Sequence, residues 1–174
     1  MTGSISPVLL IAALMVAAVP IVLAALGELV VERAGVLNLG VEGMMIMGAV
    51  CGFIAAVATG SPLLGFLGGA AGGAALALVF AALTLGLLAN QVATGLALTL
   101  FGLGLSSLVG QGYVGIKPPA TGDLPFGPLG GLPVLGPILF GHDPVLYLSI
   151  LAVPAVWYGL HRTRAGLILR AVGE

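Results

Sequence analysis

Apolar runs of helix-spanning length recur along this chain, separated by short clusters of Gly, Pro, Asn and charge. A hydrocarbon core of about 30 Å takes about 20 helical residues to cross, so such runs read as membrane spans. Five stretches qualify. The first, 5–26, has Pro7 in its opening turn and Pro20 inside, where a kink is expected. The second begins within 36–44 and ends at Thr59, where "TGSP" makes a turn. The third, 62–89, is over-long and predicts a tilted helix. Asn90 and Gln91 mark a polar turn before the fourth, 92–109, and the fifth is 145–160. The pattern predicts an all-α polytopic transmembrane bundle of about five to six segments, forming a single membrane domain over 1–174, with a broken segment near 27–43.

Two local patterns refine this. Gly65, Gly69 and Gly73 recur every four residues, with Gly68 and Gly72 as an overlapping pair. Small residues at that spacing make a flat helix face against which another helix packs closely. Residues 110–144 hold nine Gly and seven Pro, which excludes a long helix. The apolar residues there (Leu124, Phe126, Leu132, Val134, Leu135, Ile138, Leu139, Phe140) argue against plain disorder. An ordered extracytoplasmic cap with a short interfacial helix is expected.

Composition then narrows the class. Only 6% of residues are charged and 60% are hydrophobic, against about a quarter charged in soluble domains. That excludes a water-soluble globule and makes the lipid bilayer the main solvent. A net charge of −1 without a basic run gives no surface for nucleic acid. Cys51 stands alone, so a disulfide framework is excluded, and it reads as a small buried hydrophobe. With no Lys or Arg ahead of the first run, the N-terminus does not read as a cleaved signal. His142 and His161 are isolated, no metal-ligand spacing occurs, and no nucleophile–base set, phosphate loop or dinucleotide fingerprint is present. His142-Asp143 reads as a loop end and Ser106-Ser107 as helix-end hydroxyls bonding to backbone. No cofactor and no enzyme chemistry are therefore expected.

What polarity exists is concentrated in "GELVVERAGVLNLGVEG", residues 27–43, which holds Glu28, Glu32, Glu42 and Arg33 beside Asn38 and four glycines. A charge at the bilayer centre costs about 2.5–3.5 kcal/mol on insertion scales, so this gathering needs a reason. One reading is a discontinuous element lining a transport path. The other is an interfacial elbow with its charges among headgroups, and the residues alone leave both open. At the other end, "HRTRAGLILRAVGE" carries Arg162, Arg164 and Arg170 against Leu167, Ile168, Ala171 and Val172 at near-helical spacing, after a Thr that can cap. An amphipathic helix of this kind suits docking to a soluble partner or anchoring at a membrane surface. These arginines place 161–174 in the cytoplasm and the 110–144 loop outside. Counting back puts 27–35 on the cytoplasmic side and the N-terminus outside, unless 27–43 itself crosses.

"GELVVERAGVLNLGVEGMMIMGA" (27–49) closely resembles the signature of membrane permease subunits of ABC importers, in the nucleoside and simple-sugar branch, related to branched-chain amino acid and ribose permeases. "NQVATGLALTLFGLGLSSLV" (90–109) resembles their next block, and "RTRAGLILRAVGE" (162–174) the start of their cytoplasmic coupling loop. The resemblance implies a subunit that moves a nucleoside or simple sugar by alternating access, powered by a separate ABC ATPase subunit. It further implies a second permease subunit, an extracytoplasmic substrate-binding lipoprotein and a bacterial inner-membrane location. Thr163, Gly166, Leu167, Arg170, Ala171, Gly173 and Glu174 fall in the implied ATPase-coupling element, and Glu28, Glu32, Arg33, Asn38 and Glu42 in the signature, which the resemblance leaves without an assigned role. Family members are longer, so an N-terminal portion ending inside the coupling loop is expected. The alternatives are an ATPase-independent secondary transporter or channel, and a non-functional truncated permease.

Overall fold

The computed structural model describes residues 6–122 and 135–174. Among the described residues, five helices are long and apolar enough to cross a membrane: Pro7–Arg33, Val41–Thr59, Pro62–Gly86, Gln91–Tyr113 and Pro144–Arg162. Large hydrophobic side chains point outward along them, among them Leu63, Leu78, Leu100 and Leu108, each about 70% exposed. Such a surface is stable against lipid and unstable against water. This is a multi-pass membrane protein of helical-bundle class. Among the described residues there is no strand.

The first helix, α1 (Pro7–Arg33), runs through Pro20 and carries seven residues beyond the expected end at 26. Those residues, GELVVER, contain one glycine and otherwise helix-tolerant side chains, so nothing in them stops a helix. The stop comes at Gly35, which adopts a left-handed φ of 77°. The Val36 N–H donates to the Val31 carbonyl at 3.3 Å and the Gly35 N–H to that of Glu32 at 2.9 Å. This pair of bonds is a Schellman closure. The break expected near 27–43 thus narrows to 34–40.

The second helix, α2 (Val41–Thr59), ends at Gly60, also left-handed at φ 67°. Ser61 and Pro62 then start α3 (Pro62–Ala81), with proline in the first turn, where its missing N–H is harmless. A π turn, Ala82–Gly86, extends α3, and the Leu87 N–H reaches back to the Ala82 carbonyl at 3.1 Å. Within it the buried Thr84 hydroxyl donates to the Phe80 carbonyl at 2.8 Å and so competes with the regular ladder. Asn90 caps α4 (Gln91–Gly110), its side-chain oxygen accepting from the Ala93 N–H at 3.0 Å. A 3₁₀ turn, Gln111–Tyr113, follows.

The chain divides into two compact units, Met1–Val30 with Thr121–Val172, and Val31–Ala120 with Gly173–Glu174. In the second unit the core is Met44 of α2, Leu76 and Phe80 of α3 and Leu98 of α4, with Val36 and Met47 packed against it. Glycine decides how closely α2 and α3 meet. A methyl group on Gly52 would lie 2.9 Å from the Gly65 carbonyl oxygen and 3.2 Å from the Gly69 Cα. One on Gly48 would lie 3.0 Å from the Gly69 oxygen, and one on Gly73 3.5 Å from that of Met44. The free thiol of Cys51 sits beside Gly72, where an added Cβ would be 2.7 Å from its Sγ. Backbone therefore faces backbone between these helices, the geometry that small residues permit.

In the first unit a five-residue helix, α5 (Leu135–Leu139), precedes α6 (Pro144–Arg162). The Tyr147 hydroxyl donates to the Leu139 carbonyl at 3.0 Å, and His142 Nε2 lies 2.9 Å from that of Ile138. Asp143 caps α6 by accepting from the Val145 N–H at 2.8 Å. The expected cap over 110–144 falls partly outside the described residues, including Leu124, Phe126, Leu132 and Val134. The last helix is α7 (Arg164–Gly173).

Candidate functional site: the 34–40 linker and the terminal helix

The linker between α1 and α2 contains Asn38, which is 7% exposed. Its side-chain oxygen accepts from the Gly40 N–H at 2.9 Å, an Asx turn that starts α2, and its amide nitrogen lies 3.5 Å from Met44 Sδ. From α4, Gln91 Oε1 accepts from the Leu37 N–H at 2.8 Å, and the Thr99 hydroxyl donates to the Leu39 carbonyl at 2.9 Å. Glycine again permits the approach. A methyl on Gly95 would be 2.8 Å from the Leu39 nitrogen, and one on Gly43 2.7 Å from both the Leu98 oxygen and the Thr99 Cα. Gly95, Thr99 and Gly102 lie four and three residues apart, so they share the α4 face that receives the linker.

The charged members of the 27–43 stretch occupy different places. Arg33 is exposed in the last turn of α1 and Glu42 is exposed in the first turn of α2. Each has the sign that its helix end favours, worth about 0.3–1 kcal/mol. Glu32 is exposed and Glu28 half-buried. An open groove of about 440 Å³ lies beside α4, lined by Leu83, Ala89, Asn90, Thr94, Leu98 and Phe101 among others, and none of Glu28, Glu32, Arg33, Asn38 and Glu42 borders it. Of these five, Asn38 is the one the geometry ties to the linker's shape. Asn38→Ala leaves the Gly40 N–H without its acceptor in a buried place. We expect a loss of about 1–3 kcal/mol, read as a lower thermal midpoint in detergent.

At the other end Thr163 makes the turn from α6 to α7. Its hydroxyl donates to the Gly159 carbonyl at 2.5 Å and accepts from the Gly166 N–H at 3.1 Å. Gly166 is buried against the backbone of Gly159 and Leu160. Arg170 is half-buried, its Nε 3.4 Å from the Gly166 carbonyl. Leu167, Ile168, Ala171 and Val172 are exposed and form one apolar stripe, with Arg164 exposed at the start of the helix. Gly173 approaches the start of the 34–40 linker; its Cα is 3.1 Å from where a methyl on Gly35 would stand.

The sequence marked Asn90 and Gln91 only as a polar turn and gave Gly95, Thr99 and Gly102 no individual role, although Gln91, Gly95, Thr99 and Gly102 position the linker. The signal was there in the small residues at 95, 99 and 102, but it acquires meaning only once the opposing backbone is known.

Residues 10–174 match the family model described as branched-chain amino acid transport system / permease component. The chain is 47% identical over 162 residues to a putative glucose ABC transporter permease protein of Haloferax volcanii, an alignment covering 91% of this chain and 49% of that protein. It is 34% identical over 180 residues to a guanosine ABC transporter permease protein of Bacillus subtilis, covering 95% and 56%. It is 30% identical over 179 residues to a nucleoside ABC transporter permease protein of Lactococcus lactis, again covering 95% and 56%. The chain spans about half the length of these curated relatives. No solved structure gives a significant match.

Proposed function

From the premise that this chain belongs to the permease-component family of branched-chain amino acid transport systems, we propose that it is part of the membrane-spanning subunit of an ATP-binding-cassette importer in the plasma (inner) membrane. The substrate class is a nucleoside or simple sugar, by analogy with relatives named for glucose, guanosine and nucleosides. A second permease subunit completes the pathway, and an extracytoplasmic binding lipoprotein delivers the substrate.

The observation that carries the reading is the exposed apolar stripe of α7, Leu167, Ile168, Ala171 and Val172, on a helix that also bears Arg164 and Arg170. A helix presenting such a face in water seeks a groove on a soluble partner. Here that partner is the ATPase subunit. Leu167, Ala171 and Arg170 make the contact, and Thr163 and Gly166 build the turn that presents them. Alternating spans from a cytoplasmic 161–174 put the 34–40 linker on the same side of the membrane.

Co-purification of the full-length subunit with its ATPase, followed by uptake of labelled nucleoside and glucose into proteoliposomes, tests this. The expected result is a stable complex and uptake that requires ATP. Uptake that survives ATP depletion and stops with an uncoupler would replace this reading with a secondary transporter.

A further inference from the structure

The 34–40 linker is gripped at two points, and the second grip comes from the last residue of α7. A methyl on Gly173 would lie 2.8 Å from the Gly35 nitrogen and 2.9 Å from the Ala34 carbonyl carbon, and it would also meet the Arg33 carbonyl oxygen. The three nearest obstructing atoms are all backbone, so moving a side chain aside would not relieve them. Gly35 is itself held at φ 77°, with its N–H committed to the Schellman closure of α1. Beyond Gly35, Leu37 and Leu39 are tied to Gln91 and Thr99 of α4, and Asn38 sets the start of α2. A seven-residue linker bonded at both ends and in the middle has little slack. Gly35 and Gly173 are both exposed, so displacement at one end is passed on through the backbone approach itself and the hydrogen bonds that tie the linker at Leu37, Leu39 and Gly40.

We propose that the Gly35–Gly173 contact is the relay through which movement of the ATPase-facing helix reaches the 34–40 linker and, by way of Thr99 and Gln91, α4. On this view the signature stretch is a mechanical element, and neither its acids nor Arg33 need touch substrate. The proposal rests on the importer reading above: it names where the energy of ATP enters the bundle.

The test uses the full-length subunit assembled with its ATPase and binding protein in proteoliposomes, with substrate uptake and ATP hydrolysis measured side by side. Gly173→Ala pushes the linker away from α7. Uptake per ATP hydrolysed should fall by about tenfold, within the usual range of coupling between sites. The ATPase should still co-purify. Thr99→Val removes the hydroxyl that holds the Leu39 carbonyl while adding no bulk, and should lower the same ratio to a smaller extent. An unchanged ratio in both variants overturns the relay. So does loss of ATPase binding in Gly173→Ala, which would make Gly173 part of the docking face. Failure of the unaltered subunit to bind any ATPase overturns the importer reading first, and the two failures are distinguished by that control.

Discussion

Gly102→Leu is expected to leave no folded protein in mild detergent, and Gly102→Ala to destabilise the fold by about 1–3 kcal/mol, the usual penalty for overpacking a close contact. An added Cβ at Gly102 would stand 2.7 Å from the Gly43 carbonyl oxygen and 2.8 Å from its Cα. The reverse substitution meets the same obstacle, because a Cβ on Gly43 would stand 2.7 Å from the Thr99 Cα. Relief requires α2 and α4 to separate, which would pull the linker from Gln91 and Thr99 as well. Gly104 supplies the control from the same helix, since a Cβ there would meet nothing within 4 Å. Gly104→Ala should be neutral or stabilising, by at most about 1 kcal/mol of helix propensity. Thermal midpoints of the two alanine variants decide the matter: equal values would mean that the α2–α4 contact is not as close as described.

The second large effect is on transport. Arg170→Glu should reduce ATP-driven uptake by about tenfold or more, because it reverses a charge on the helix proposed to dock the ATPase. Part of the loss would come from the helix itself, since Arg170 lies in the last turn of α7, where a cation suits the dipole. Leu167→Asp separates the two causes. An acid near the start of α7 suits the dipole, yet it places a charge in the exposed apolar stripe. If Leu167→Asp transports normally while Arg170→Glu does not, helix stability explains the result and the docking face lies elsewhere. Pull-down of the ATPase with both variants gives the same answer independently.

Much of the fold was legible because membrane spans are written in length and hydropathy. The second, fourth and fifth spans follow their apolar runs to within a few residues. Boundaries set by a single backbone angle were not legible. The apolar run that ends at 26 concealed a helix reaching Arg33, since Glu28, Glu32 and Arg33 are compatible with helix and the stop is the left-handed Gly35. The π turn at Ala82–Gly86 has no sequence pattern of its own. In the candidate site, the 27–43 stretch drew attention through its charge, whereas the geometry gives the positional work to Asn38 and the glycines. Charge is conspicuous in an apolar sequence; a glycine that admits a neighbouring carbonyl looks like any other among 29.

The glycine-faced pair α2 and α3 also bears on how the chain enters the membrane. They are consecutive, joined by the short turn at Gly60 and Ser61, and between 41 and 86 the sole charged residue is Glu42. Their contact closes a short loop and demands little entropy. The pair is therefore suited to leave the translocation machinery as one hairpin, already matched face to face, with Glu42 left at the surface where insertion began.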